Sequence, residues 1–122
     1  MTTPEKKVKD KVVKLLKEYD AYYFYPVSGG YGASGVPDIV VCMGGKFIGI
    51  ECKADGGKPT ALQTKNLNNI AKNGGYSVLV DESGIGSLRL MLIEIYEGRG
   101  TVFAGIVFDL LKGNKDGDDC GR

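Results

Sequence analysis

The stretch PDIVVCMGGKFIGIECK, from Pro37 to Lys53, limits what this chain can become more than any other. Two apolar, β-branched runs flank Gly44-Gly45, and such runs around a two-residue glycine turn read as a β-hairpin. With that turn, Met43 faces Lys46, Val41 faces Ile48 and Asp38 faces Glu51; a four-residue loop closed by Cys42 and Phe47 gives the same register. Directly opposed residues hold their Cβ atoms about 5 Å apart. Lys53 joins the face of Glu51 because side chains alternate along a strand. Opposed carboxylates repel unless positive charge sits between them, and a divalent cation held by oxygen ligands is the natural candidate, with Lys53 beside it. Charges at strand ends are more often a solvated cluster. Here the runs around them are apolar on both strands, which favours an interior hairpin with its charges gathered at one end.

At 122 residues the chain is long enough for one domain with one core, and its 43% hydrophobic and 25% charged content is ordinary for a globular protein. A net charge of +1 announces no nucleic-acid partner, but the average hides an asymmetry. Lys6, Lys7, Lys9, Lys11, Lys14 and Lys17 crowd the first segment, while Asp116, Asp118 and Asp119 fall at the end. A lysine-rich helix face is more often solvated than phosphate-binding. The absence of histidine excludes Ser-His-Asp and Cys-His triads and histidine-bound zinc, leaving carboxylates, lysines and water for any chemistry. Cys42, Cys52 and Cys120 are odd in number and form no CxxC pair, so neither a disulfide framework nor a zinc knuckle is indicated. With no signal peptide or apolar run of membrane-spanning length, the expectation is an intracellular, reducing setting without a membrane partner.

Along the chain, Thr2-Thr3-Pro4-Glu5 opens a helix, with Thr2 and Glu5 spaced for a capping box. Val8, Val12, Leu15, Leu16 and Tyr19 then form one apolar stripe. Tyr22 to Val27 reads as a strand, with Pro26 placing its end or an edge. The glycine-rich loop from Ser28 to Gly35 contains Gly30-x-Gly32-x-x-Gly35, a dinucleotide fingerprint in letters alone. A strand and not a helix follows it, so the phosphate-binding geometry is missing. The loop is either a mobile arm hugging a substrate backbone or a plain connection.

After the hairpin, Thr60 or Pro59 starts a helix that ends at Asn73-Gly74-Gly75, with Leu62, Leu67, Ile70 and Ala71 inward and Lys65 and Lys72 outward. Gly57-Lys58-Pro59-Thr60 is too incomplete for a phosphate-binding loop. Gln63 has two readings, the far end of a Thr60-x-x-Gln63 capping box or a side chain reaching the carboxylates; spacing alone favours the cap. Tyr76 to Asp81 is a third apolar run, and strand, helix and strand in succession place it parallel to the second hairpin arm. Leu88, Met91, Leu92 and Ile95 have helical spacing, Gly98 and Gly100 stop that helix, and residues 101–111 are strand or helix. The last ten residues read as a disordered tail.

Pro37-Asp38, twelve residues and Glu51-x-Lys53, set in the order helix, strand, hairpin, helix, strand, resemble the PD-(D/E)xK restriction-endonuclease-like superfamily. Ser34-Gly35-Val36-Pro37-Asp38, Ile50-Glu51-Cys52-Lys53, Gly57-Lys58, Gln63 and Gly74-Gly75 look more closely like the VRR-NUC (virus-type replication-repair nuclease) family, over residues 4–82. The resemblance implies an α/β fold, a restriction-endonuclease-like mixed β-sheet core flanked by helices. It implies a nuclease domain, taken as 1–112 with 113–122 as tail; the extension 83–112 lies outside the match, and dimer contact, junction-shaping element and extra core stay open for it.

The activity so implied is hydrolysis of DNA phosphodiesters with Mg2+ or Mn2+. Asp38, Glu51 and the backbone carbonyl of Cys52 would hold metal, and Glu5 would be a further ligand. Lys53 would orient or help deprotonate the attacking water, and Gln63 would stand near the site, reversing the preference for a pure cap. Ser34, Lys58 and Lys65 are candidate DNA contacts. Stand-alone members resemble viral, homodimeric Holliday-junction resolvases, so branched DNA and a second copy of the chain are the expected partners, in a bacterial host's cytoplasm if the source is viral. A silent DNA-binding module on the same fold and a structural interaction protein are the rival readings.

Overall fold

The computed structural model describes residues 2–27 and 35–111, with side chains described as far as residue 98. Helix α1 (Pro4–Glu18) starts where the Thr3 hydroxyl accepts the Lys6 amide at 3.1 Å. The expected Thr2–Glu5 box is therefore replaced by a cap one residue later. With Pro4 as the first helical residue, the cap position falls on Thr3 and its partner on Lys6. Val8, Val12, Leu15 and Leu16 are buried along one stripe, as their spacing predicts.

Strands β1 (Tyr22–Phe24), β2 (Ile39–Met43), β3 (Lys46–Cys52) and β4 (Tyr76–Val80) form one sheet in that order. The first three are antiparallel, and β4 runs parallel to β3. The hairpin register is the expected one, with Met43 opposite Lys46, Val41 opposite Ile48 and Ile39 opposite Ile50. Gly44 and Gly45 take φ of 59° and 79°. A two-residue turn of this hand requires positive φ at both positions, which glycine adopts without strain. β1 stops at Phe24, shorter than the aromatic run suggested, in keeping with Pro26 lacking a ladder donor.

Helix α2 (Ala61–Lys72) carries the chain from β3 over to β4, completing the βαβ unit. A short 3-10 turn at Glu82–Gly84 follows, with the Asp81 carboxylate accepting the Gly84 amide, and then helix α3 (Ile85–Leu111). α3 runs through Gly98 and Gly100 where a stop was expected. A helical glycine costs about 1 kcal/mol but, unlike proline, breaks no backbone hydrogen bond. Residues 112–122, including the expected tail and Cys120, lie outside the described residues.

The core occupies one face of the sheet. Ile39, Val41, Met43, Ile48, Ile50, Cys52 and Val80 pack there against the α1 stripe and against Leu88, Leu92 and Ile95 of α3. The opposite face carries Gly49, Glu51 and Lys53 and is covered by α2 only near β3 and β4. No residue of α2 is fully buried. Leu67 and Ile70 are half-buried as expected, but Leu62 is 50% exposed and Ala71 is exposed. The helix rests on the sheet through Ile70, whose Cδ1 would lie 2.5 Å from a Cβ on Gly49, while the Leu62 backbone rests on Gly35. On the same face, Tyr22 and Phe24 of β1 and Phe47 at the start of β3 remain 70%, 48% and 48% exposed.

Candidate active site

The end of the hairpin gathers the charged residues that the sequence singles out. Glu51 is 1% exposed, a carboxylate sealed between strands and α2. Lys53, two residues on and hence on the same face, brings Nζ to 3.7 Å from Glu51 Oε2, a charge contact longer than a hydrogen bond. Asp38 stands one step beyond the Ile39–Ile50 pair, so the ladder carries it toward Glu51. Its Oδ2 accepts the backbone amide of Cys52 at 2.9 Å, a contact not anticipated from sequence. That bond ties the loop before β2 to the end of β3 and fixes the carboxylate beside its neighbour.

Gln63 fills both roles proposed for it. Its Oε1 accepts the Thr60 amide at 2.9 Å, and its own backbone amide donates to the Thr60 hydroxyl at 3.1 Å, a complete capping box. Its Nε2, on the other side of the same amide, donates to Glu51 Oε2 at 2.8 Å. The planar side chain thus couples the start of α2 to the buried carboxylate. Glycine at position 35 permits this seating. With φ of +79°, a Cβ there would meet the Leu62 backbone at 2.7 Å and push the first turn of α2 away from the sheet.

Glu51 Oε2 is served by Gln63 and Lys53, whereas Oε1 is buried with no hydrogen-bond partner. Burial first, and the neighbouring Asp38 charge second, lift the Glu51 carboxyl to about 7, against the lowering effect of Lys53. Glu5 adds to the lift, so its charge reaches the site. The Cys52 thiol, in the core and on the other face, is pushed up to about 12 by burial and by Asp38 and Glu51, which rules it out as a thiolate nucleophile.

Asp38 opens onto a cleft of about 650 Å3 between the start of α1 and the end of the sheet. Glu5, Lys6, Lys9 and Asp10 from α1, Tyr25 after β1, and Ala54 after Lys53 line it. Glu5 therefore stands on the wall of the cleft that Asp38 reaches. Ser34 lies outside the described residues; Lys58 and Lys65 are exposed, and neither lines the cleft. Tyr25 and Lys9 were not singled out from the sequence. The aromatic run reads as strand and the lysines as a solvated face, and only the fold brings the two together.

The donor set suits a hard divalent cation. Mg2+ and Mn2+ prefer oxygen, and Mg2+ is commonly bound through one or two carboxylates while it keeps several waters. A buried carboxylate oxygen without a partner and a second carboxylate beside it match that demand. Among the described residues no group of three or more acidic, cysteine or histidine side chains forms a ready-made cage, so a cation held here would draw the rest of its shell from backbone and solvent.

The chain is similar to the protein named "Putative nuclease p44" of Acyrthosiphon pisum secondary endosymbiont phage 1, with 36% identity over 58 residues. The match covers 47% of this chain and 62% of that protein, so it spans about three-fifths of the relative's length. No family model matches the chain. Among the described residues, no helix is long and apolar enough to cross a membrane.

Proposed function

We propose that this chain is a divalent-metal-dependent nuclease of the VRR-NUC type, acting on DNA. The observation that carries the reading is the unpartnered Oε1 of Glu51, since a buried carboxylate oxygen left bare is costly unless something positive meets it. The nuclease name of the phage relative supports the same chemistry.

Asp38, Glu51 and the Cys52 carbonyl would hold Mg2+ or Mn2+, with Glu5 as a further ligand from the cleft wall. When bound, the ion lowers the pKa of its water and polarises the phosphoryl group. Gln63 occupies Oε2 of Glu51, which leaves the buried Oε1 as the oxygen free for the ion. The Lys53 ammonium, 3.7 Å from Oε2, would orient the attacking water as a hydrogen-bond donor, while the water's proton leaves to solvent, and it would face the charge that grows on the phosphate.

Branched DNA and a homodimer of Holliday-junction-resolvase kind remain part of the proposal. Exposed Tyr22 and Phe24 on β1, with Phe47 beside them toward α2, form an apolar patch of the sort that packs between subunits. Light scattering before and after Phe24→Glu tests the dimer.

The decisive assay incubates the purified protein with labelled four-way, flap and linear DNA in Mg2+, Mn2+ or EDTA, beside Asp38→Ala and Lys53→Ala. Cutting that requires the metal and both side chains is expected. Binding without cutting under every condition would point to a silent DNA-binding module, and neither binding nor a response to metal would point to an interaction protein.

A further inference from the structure

The cleft beside Asp38 has a wall that metal binding does not use. The Tyr25 ring is 50% exposed and forms part of the lining. It is held edge-on by Tyr23, with ring centroids 6.0 Å apart and planes at 64°, and Tyr23 in turn packs against the core. Lys9 Nζ lies over the Tyr25 ring, 4.6 Å from its centroid, so a cation covers one face of a half-exposed ring, and a base would stack there as the ammonium turns to its phosphate. Lys6, also on the wall, is paired with Asp10 at 3.0 Å, which leaves Lys9 the better placed of the two for an incoming anion.

An anchored, half-exposed ring beside a cation is the arrangement that takes a nucleobase on the ring and its phosphate on the ammonium. The volume of about 650 Å3 is in the range of small-ligand sites, with room for a nucleotide but not for a base-paired helix. We propose that this cleft receives an unpaired nucleotide next to the scissile phosphate, its base stacked on Tyr25 and its phosphate met by Lys9. The substrate class is then DNA with a frayed, flapped or splayed strand at the cut, because an unpaired base enters without the unpairing and unstacking cost of a few kcal/mol that a paired one carries. This inference rests on the nuclease reading for its location, since it places the nucleotide against Asp38.

The test uses duplexes with 2-aminopurine either in an unpaired arm next to the junction or within a continuous paired stretch, in Ca2+ to permit binding without turnover. The wild-type chain quenches the unpaired probe and binds it more tightly. Tyr25→Ala and Tyr25→Leu remove the quench and weaken binding of the splayed probe roughly ten-fold relative to their effect on the paired one, while Tyr25→Phe retains both. Lys9→Gln weakens the splayed probe and lessens its salt dependence.

Unchanged quenching and affinity in folded Tyr25→Ala, with melting checked in parallel, overturns the proposal, as does equal binding of both probes by the wild type. Either result leaves metal-dependent cutting intact. Absence of cutting with the quench present would reject the nuclease reading and keep the nucleotide site.

Discussion

Gln63 donates its side-chain amide to Glu51 across 2.8 Å while the same amide's oxygen caps the helix that carries it. One residue therefore reports on two things, the stability of α2 and the state of the buried carboxylate. Gln63→Ala removes both contacts and should lower stability by about 1 kcal/mol through the lost cap, together with cleavage. Gln63→Glu keeps an acceptor for Thr60 but sets a second negative charge against Glu51. It should largely preserve the cap and move the pH midpoint of cleavage upward. Melting curves and pH–rate profiles of the two variants separate the roles.

Glu51 itself makes stability depend on pH. Its carboxyl is raised from an ordinary 4.5 to about 7. An acid harder to ionise in the folded state stabilises the fold fully below its unfolded value and loses that contribution as pH climbs through the folded one. The metal-free protein should thus lose on the order of 3 kcal/mol from this group between about pH 4.5 and 7. Glu51→Gln should be close to wild type at the acid end and more stable above pH 7. Paired denaturation series across that range isolate the difference from the contributions of other carboxylates.

Asp38 has two effects of opposite sign. Repulsion alone predicts that Asp38→Ala raises the metal-free melting temperature, but the substitution also strips the acceptor from the Cys52 amide, at a cost of about 1–3 kcal/mol if that group stays buried. Asp38→Asn keeps an acceptor and removes the charge. The expected order of metal-free melting temperature above pH 7 is Asp38→Asn highest, with Asp38→Ala no better than wild type. Both variants should be inactive.

Gly35→Ala tests the seating of α2. The left-handed conformation costs a non-glycine residue about 1–2 kcal/mol, and the added carbon meets the Leu62 backbone. Melting should fall by at least that amount, and cleavage should fall further than stability because Gln63 moves with the helix. Equal losses at a temperature where the variant is fully folded would argue against the coupling.

Much of this was legible because it depends on alternation and turn chemistry. Gly44-Gly45 between two β-branched runs determines the register, and the register brings Asp38, Glu51 and Lys53 to one end of the hairpin. The α1 stripe and the parallel β4 follow from equally local rules. What escaped depends on contacts between segments distant in sequence. Leu62 looks inward by periodicity, yet it sits in a first turn that leans on Gly35 and not on the sheet. Gly98 and Gly100 look like stops, yet they only weaken a helix. The Asp38 bond to Cys52 and the approach of Lys9 to Tyr25 join residues that no periodicity relates. Gln63 looked like a choice between cap and site because a sequence pattern does not show that one amide can serve both with its two ends.

Mn2+ titration followed by electron paramagnetic resonance at about pH 7.5 asks directly whether the bare oxygen of Glu51 takes a divalent cation. Bound Mn2+ loses the sharp six-line signal of the free ion. The wild-type chain should remove Mn2+ from that signal saturably, Mg2+ should compete it back, and Glu51→Gln and Asp38→Asn, both folded, should leave it in solution. Binding by Glu51→Gln as strong as by wild type, or no binding by the wild type at all, would contradict the metal site at its root.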